Sequence, residues 1–318
     1  MLIADAATDW SWNPVADLRQ MWAFPFMVNA FRAGAIVAVL AGVIGWYMVL
    51  RRQSFAGHTL STVAFPGAAG ATLLGVGAVY GYFTFCVGAA LVIAAIPRAG
   101  GHESGHGSGG GEEAAVTGTI QAFLLGAGFL FIALYKGFLG GVDALLFGSF
   151  LGITTTQVEV LAAVGAAVLL VLAVVGRPLL FASVDPAVAT ARGVPVRLLS
   201  TVFLVVLGAA TAATSQITGA LLVFALLVMP AATAQNLTAR PVLGIAASVG
   251  IALAVTWTSL TVAYYSPYPI GFWVTTFAFA AYAASWGVRL LRERRGRAPG
   301  RRAVAAAGTP AWTSGSLL

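Results

Sequence analysis

Residues 51 to 67 read Arg51-Arg52-Gln53-Ser54-Phe55-Ala56-Gly57-His58-Thr59-Leu60-Ser61-Thr62-Val63-Ala64-Phe65-Pro66-Gly67, a polar, glycine-punctuated and proline-ended segment between two long apolar runs. Beside hydrocarbon, groups such as His58, Ser61 and Thr62 are tolerated only where they are buried in protein or line a wet path. The reading of this stretch therefore turns on whether its flanking runs cross a membrane.

Composition answers that. Hydrophobic residues make up 59% of the 318 and charged residues only 8%, and the mean hydropathy is +0.92, well outside the range of soluble domains. Apolar runs fall at about 24 to 50, 59 to 77, 79 to 96, 115 to 135, 157 to 175, 198 to 213, 217 to 234, 241 to 265 and 270 to 290, most near the ~20 residues a helix needs to cross ~30 Å of hydrocarbon. The runs are continuous, without the period-two alternation of a barrel strand. The expected fold is all-α, a polytopic membrane helical bundle of roughly eight to ten spans, about nine by this reading. The pair 198 to 213 and 217 to 234 is divided only by Thr214-Ser215-Gln216, and the apolar piece 144 to 153 is too short to span. The first run follows a mixed segment with Asp5, Asp9 and Asp17, so a cleavable signal peptide is not expected. Cys86 lies inside a span and reads as packing.

Basic residues set the orientation. With the end of the first span on the cytoplasmic side, Arg51, Arg52, Arg98, Arg177, Arg192, Arg197, Arg240 and the arginines from Arg289 to Arg302 all fall inside, and only Arg19, Arg32 and Lys136 do not. That choice requires an odd number of spans, with the N-terminus outside and the C-terminus in the cytoplasm of a plasma (inner) membrane protein. It also accounts for the net charge of +7 without nucleic acid. Residues 1 to 23 form an extracytoplasmic segment, 24 to 291 the membrane domain, and 292 to 318 a basic tail expected to be disordered, free or resting on anionic membrane lipid.

Two inside loops stand out. Residues 97 to 113 carry His102, Glu103, His106, Glu112 and Glu113 among glycines, a flexible linker with enough ligands for weak cation binding. Residues 176 to 197 contain Asp185-Pro186, Ala189 and Gly193, which predict a short interfacial helix at about 183 to 193 with Pro186 in its first turn and Gly193 closing it. Such a helix is either inert or a place for a soluble motor to grip.

No phosphate-cradling loop precedes a Lys-Ser or Lys-Thr pair, since the only lysine, Lys136, is followed by Gly-Phe. The ten acidic residues all fall in loops, termini or span ends rather than mid-membrane. Without its own ATP site or a coupling carboxylate, the chain reads as a non-catalytic pore-forming subunit driven by another protein.

The opening segment resembles the signature of metal-ion ABC importer permeases, the zinc, manganese and iron uptake type. Three further stretches agree in order: Leu146-Phe147-Gly148-Ser149-Phe150-Leu151-Gly152 is similar to an outer-side element, Asp185-Pro186 with Ala189 and Gly193 to the cytoplasmic coupling helix, and residues 218 to 234, beginning Thr218-Gly219-Ala220, to a late-span pattern. The resemblance implies a homodimer of this chain that receives a divalent metal cation from an extracytoplasmic binding protein. Two cytoplasmic ABC ATPase subunits, which bind the ATP, would dock on the coupling helix at Asp185, Pro186, Ala189 and Gly193. It implies no cofactor resident in this chain.

Members of that family carry Asp, then three residues, then His on the pathway helix, and the corresponding positions here are His58 and Thr62. An imidazole and a neutral hydroxyl replace the fixed negative charge, which favours zinc over manganese or iron. The alternatives are a permease for a metal chelate, an ATP-independent ion-coupled carrier or channel, and a structural subunit in which His58 merely packs. Arg32 is expected to point away from the path and to snorkel or pair with Asp143 or Glu159. Gly42/Gly45, Gly70/Gly75 and Gly148/Gly152 are expected to mark close helix contacts.

Overall fold

The computed structural model describes residues 19–95, 109–135, 145–146, 148 and 152–306. Among them the chain is all-helical: α1 (Pro25–Leu50), α2 (Ser54–Leu73), α3 (Ala78–Ala95), α4 (Gly109–Leu134), α5 (Thr155–Val184), α6 (Pro186–Ala191), α7 (Val196–Thr218), α8 (Ala220–Leu237), α9 (Pro241–Tyr265) and α10 (Ile270–Ala306). Each of the nine predicted apolar runs corresponds to one long helix. Six of these, α1, α3, α4, α5, α7 and α9, are long and apolar enough to cross a membrane on their own composition. Of the other three, α2 carries the polar signature, α8 is apolar from Leu222 to Leu237, and α10 follows its apolar part with an arginine-rich stretch.

α1 occupies the centre of the bundle, packed on α5, α8 and α9. Small residues let its neighbours close in. A side chain at Gly45 would collide with the backbone of Leu227 on α8, and one at Gly42 with the backbone of Val249 on α9. Side-chain donors then reach α1 carbonyls across these contacts. Ser248 Oγ donates to Gly42 O at 2.8 Å and Gln235 Nε2 to Trp46 O at 3.0 Å. Across to α5, Tyr47 Oη donates to Gly176 O at 3.4 Å. In an apolar setting such bonds hold helices where hydrophobic burial alone gives no preference. α2 meets α3 equally closely at Gly67 and Gly81, where Cys86 Sγ also approaches Leu60 O at 3.4 Å.

The expected break at Thr214-Ser215-Gln216 is not where α7 ends. Thr211, Thr214 and Thr218 donate their hydroxyls to Leu207 O, Ala210 O and Thr214 O, so the polar run stays helical by bonding back onto its own helix. The turn comes at Gly219, whose φ of 76° and ψ of 157° are open only to glycine. Gly148, also at positive φ, packs its backbone against Ile217 to Gly219, so part of the piece too short to span caps the α7–α8 turn.

The glycine pairs divide. Gly42, Gly45 and Gly148 make the expected close contacts, and Gly70 faces Phe131 of α4. A side chain at Gly75 would meet nothing within 4 Å, because Gly75 lies in the turn after α2 rather than in a helix contact. Two polar stretches are more helical than their composition suggests: residues 109 to 113 open α4, and α10 continues to Ala306. The linker residues 97 to 108, with His102, Glu103 and His106, and the tail beyond 306 lie outside the described residues.

Candidate functional site

α1 ends at Arg51 in a Schellman turn. Gln53 N donates to Met48 O and Arg52 N to Val49 O, with Arg52 at φ 56° in the position usually given to glycine. This tight reversal starts α2 at Ser54 and aims its second turn, from His58 to Thr62, into the bundle. Residues four apart share a helix face, so His58 and Thr62 lie one above the other. Thr59, Ser61 and Thr62 are buried and His58 is half-buried.

The hydroxyls of Ser61 and Thr62 both donate to His58 O, at 2.8 and 2.9 Å, so their oxygens act toward other groups only as acceptors. Pro66 has no N–H, so the carbonyl of Thr62, four residues earlier, loses its helical donor. The same short stretch thus supplies an imidazole, two hydroxyl oxygens and a carbonyl released from the helix ladder.

A residue the sequence reading passed over completes this group. Gln121 of α4 places Nε2 3.2 Å from His58 Nε2 and 3.4 Å from Thr62 Oγ1, while its Oε1 accepts from Thr59 Oγ1 at 3.2 Å. With the amide donating to Nε2, a neutral imidazole carries its proton on Nδ1. That Nδ1 is buried with no hydrogen-bond partner among the described residues. From α8, Phe224 sets its ring edge-on to His58 at 4.7 Å between centroids, so the late-span pattern reaches the opening segment.

The donor set is neutral, with nitrogen from imidazole and oxygen from amide, hydroxyl and carbonyl. Among the described residues no three His, Cys, Asp or Glu side chains cluster. A separate cavity of about 380 Å³ lies between α2, α3 and α4, lined by Thr59, Val63, Phe85, Val92 and Ile120 among others. It is apolar, the Thr84 hydroxyl donates to the Tyr80 carbonyl, and the single Thr59 proton is shared between Phe55 O and Gln121 Oε1. His58 does not line it.

Arg32 is exposed on α1. It makes no ion pair with Glu159 among the described residues, and Asp143 lies outside them. The short helix expected at about 183 to 193 is present as α6, over Pro186–Ala191. Asp185 Oδ1 accepts from Val188 N at 2.9 Å, Pro186 takes the first helical position, and Gly193, at φ 79°, closes a second Schellman turn through Val194 N to Ala189 O. Ala189 is fully buried, against α5 and α7, whereas Ala187, Val188, Thr190 and Ala191 are exposed. Within the predicted set, Ala189 therefore supports α6 from beneath, and a docking partner would meet its exposed neighbours.

The family model described as the ABC 3 transport family matches residues 23–288. Among curated relatives, the manganese transport system membrane protein MntC of Halalkalibacterium halodurans is 32% identical over 250 residues, covering 77% of this chain and 82% of that protein. The manganese import system permease protein ScaB of Streptococcus parasanguinis is 30% identical over 213 residues, covering 66% of this chain and 72% of its own length. Among solved structures, PsaBC from Streptococcus pneumoniae in complex with Fab superposes with a TM-score of 0.74 at 25% identity, over 86% of this chain and 95% of that one.

Proposed function

The chain belongs to the ABC 3 transport family, and on that premise we propose that it is the membrane permease subunit of an ATP-driven importer of divalent metal ions. Two copies form the path, an extracytoplasmic binding protein delivers the ion, and cytoplasmic ABC ATPase subunits dock on α6 and supply the energy. The chain itself catalyses nothing. It hands the ion across the membrane by alternating access, with helix movements that expose the α2 site to one side and then the other.

The observation that carries the reading of the cargo is the neutral cluster of His58, Gln121 and Thr62. A borderline-soft ion that accepts imidazole, such as zinc, suits it better than manganese, which favours carboxylate oxygen. The relatives are named for manganese, and His58 and Thr62, where the family resemblance implies Asp and His, are the positions on which the preference for zinc rests. A neutral, oxygen-rich site also holds an ion weakly enough to release it, as conduction requires.

The test is uptake in proteoliposomes holding this chain, its ATPase and its binding protein. ATP-dependent accumulation of free zinc, exceeding that of manganese, is the expected result, and His58→Ala should reduce it without preventing assembly. Uptake only of a metal chelate, or uptake by the chain without the ATPase, would refute the proposal.

A further inference from the structure

Arg51 sits at the junction of four helices. It is the C-terminal cap of α1, and its guanidinium donates from Nη1 to Ser183 Oγ at 2.9 Å, from Nη2 to Ser200 Oγ at 2.6 Å and from Nε to Gln53 Oε1 at 3.3 Å. Its Cζ lies 5.4 Å from the centroid of the fully buried Phe203 ring, a cation–π contact. Ser183 is in the last turn of α5, two residues before the Asp185 cap of α6, and Ser200 is in the second turn of α7, just after α6. One planar fork therefore brackets the α6 elbow from both sides. Its third arm reaches Gln53, the residue that leads into α2.

A basic residue at the inner membrane edge needs no such arrangement to satisfy topology. Arg52, next in the chain, carries the same charge and is exposed. Arg51 is instead half-buried, stacked on a ring and committed through both terminal nitrogens. Lysine would keep the charge but has no rigid fork with which to hold two hydroxyls in a plane.

We propose that Arg51 is a positioning residue that couples the α6 elbow to the His58 helix, so that displacement of α6 is transmitted through its guanidinium to the α1–α2 turn. The turn can transmit movement because it is short and fully hydrogen-bonded, from Arg51 N to Tyr47 O through Gln53 N to Met48 O. From Ser54 to His58 is about 6 Å along the helix axis. Movement at the cytoplasmic edge therefore reaches the candidate site through one helical turn. This inference rests on the ATP-driven reading above, and its readout is coupling rather than transport alone.

The experiment measures zinc uptake and ATP hydrolysis together in the reconstituted complex of permease, ATPase and binding protein. Arg51→Lys is expected to assemble and to hydrolyse ATP while the zinc moved per ATP falls at least about fivefold, the lower end of typical coupling strengths. The Ser183→Ala/Ser200→Ala double variant is expected to do the same, and adding Arg51→Lys to it should bring little further loss, because all three substitutions break one link. Equal falls in uptake and hydrolysis, or an unchanged ratio in both variants, would overturn the proposal. If Arg51→Lys fails to assemble, the serine pair decides alone. Should the wild-type complex show no ATP-dependent uptake, the failure belongs to the proposed function instead.

Discussion

His58 acquires its setting from Gln121, a side chain 63 positions away on another helix. The amide neutralises nothing, so on the proposed path the charge of a dication would be met by dipoles alone, and the balance between ions would follow from what the cluster lacks. Replacing the pair by His58→Asp/Thr62→His restores a carboxylate and moves the imidazole one turn along the same face. The expected outcome is a rise in the manganese-to-zinc uptake ratio of about tenfold or more, equivalent to ~1.4 kcal/mol, read by competition between the two ions in vesicles. An unchanged ratio would show that selectivity is set elsewhere. Gln121→Leu is expected to weaken zinc uptake mainly through KM, since it leaves the imidazole without the partner that orients it. The spacing of His58 and Thr62 was legible from four-residue periodicity, but Gln121 was not. Apolar patterning identifies a span without fixing which way each residue faces. The available signal was a single amide in an otherwise apolar stretch of α4.

At the scale of the element, α6 shows where local chemistry is decisive and where it stops. Asp185, Pro186 and Gly193 specify the start and end of a six-residue helix by capping rules alone, and the structure obeys them. The burial of Ala189 could not be read the same way, because it depends on where α5 and α7 pass beneath. The break between α7 and α8 shows the converse. Thr214-Ser215-Gln216 looks like a loop, yet back-bonded hydroxyls keep it helical until Gly219 supplies a conformation other residues avoid. Two substitutions separate support from docking on α6. Ala189→Leu overpacks a closed site and should cost about 1–3 kcal/mol, seen as a lower unfolding temperature of the purified permease. Val188→Glu, on the 44% exposed side chain beside it, should leave that temperature unchanged and cut co-purification of the ATPase. The reverse pattern would mean that the partner meets a different face.

For the whole molecule, the strongest constraint is the sidedness of the bundle. Among the described residues all nine long helices were legible as apolar runs, since in hydrocarbon the backbone must satisfy itself within each helix. Their partners were not legible, because lipid-facing and protein-facing apolar residues look alike in sequence and only contacts such as Gly45 on Leu227 distinguish them. Sidedness is read from charge: the turns after α1 and α8 and the end of α10 carry arginines, whereas the end of α9 and the turn after it carry Tyr264, Tyr265 and Tyr268, which suit an interfacial aromatic belt. If all nine long helices cross, with the N-terminus outside, the α8–α9 turn falls inside and the α9–α10 turn outside. Cysteine labelling with a membrane-impermeant maleimide tests this on a clean background, because the native Cys86 is fully buried. Tyr268→Cys, at an exposed position in the α9–α10 turn, should label on intact cells. Ala239→Cys, exposed between α8 and α9, should label only after permeabilisation. The same two positions labelling in the opposite order would invert the bundle and place α6, with Arg51 behind it, on the side where no ATPase could reach it. Labelling of both from outside would require a lost crossing between them, and α9 is the helix that would have to leave the membrane.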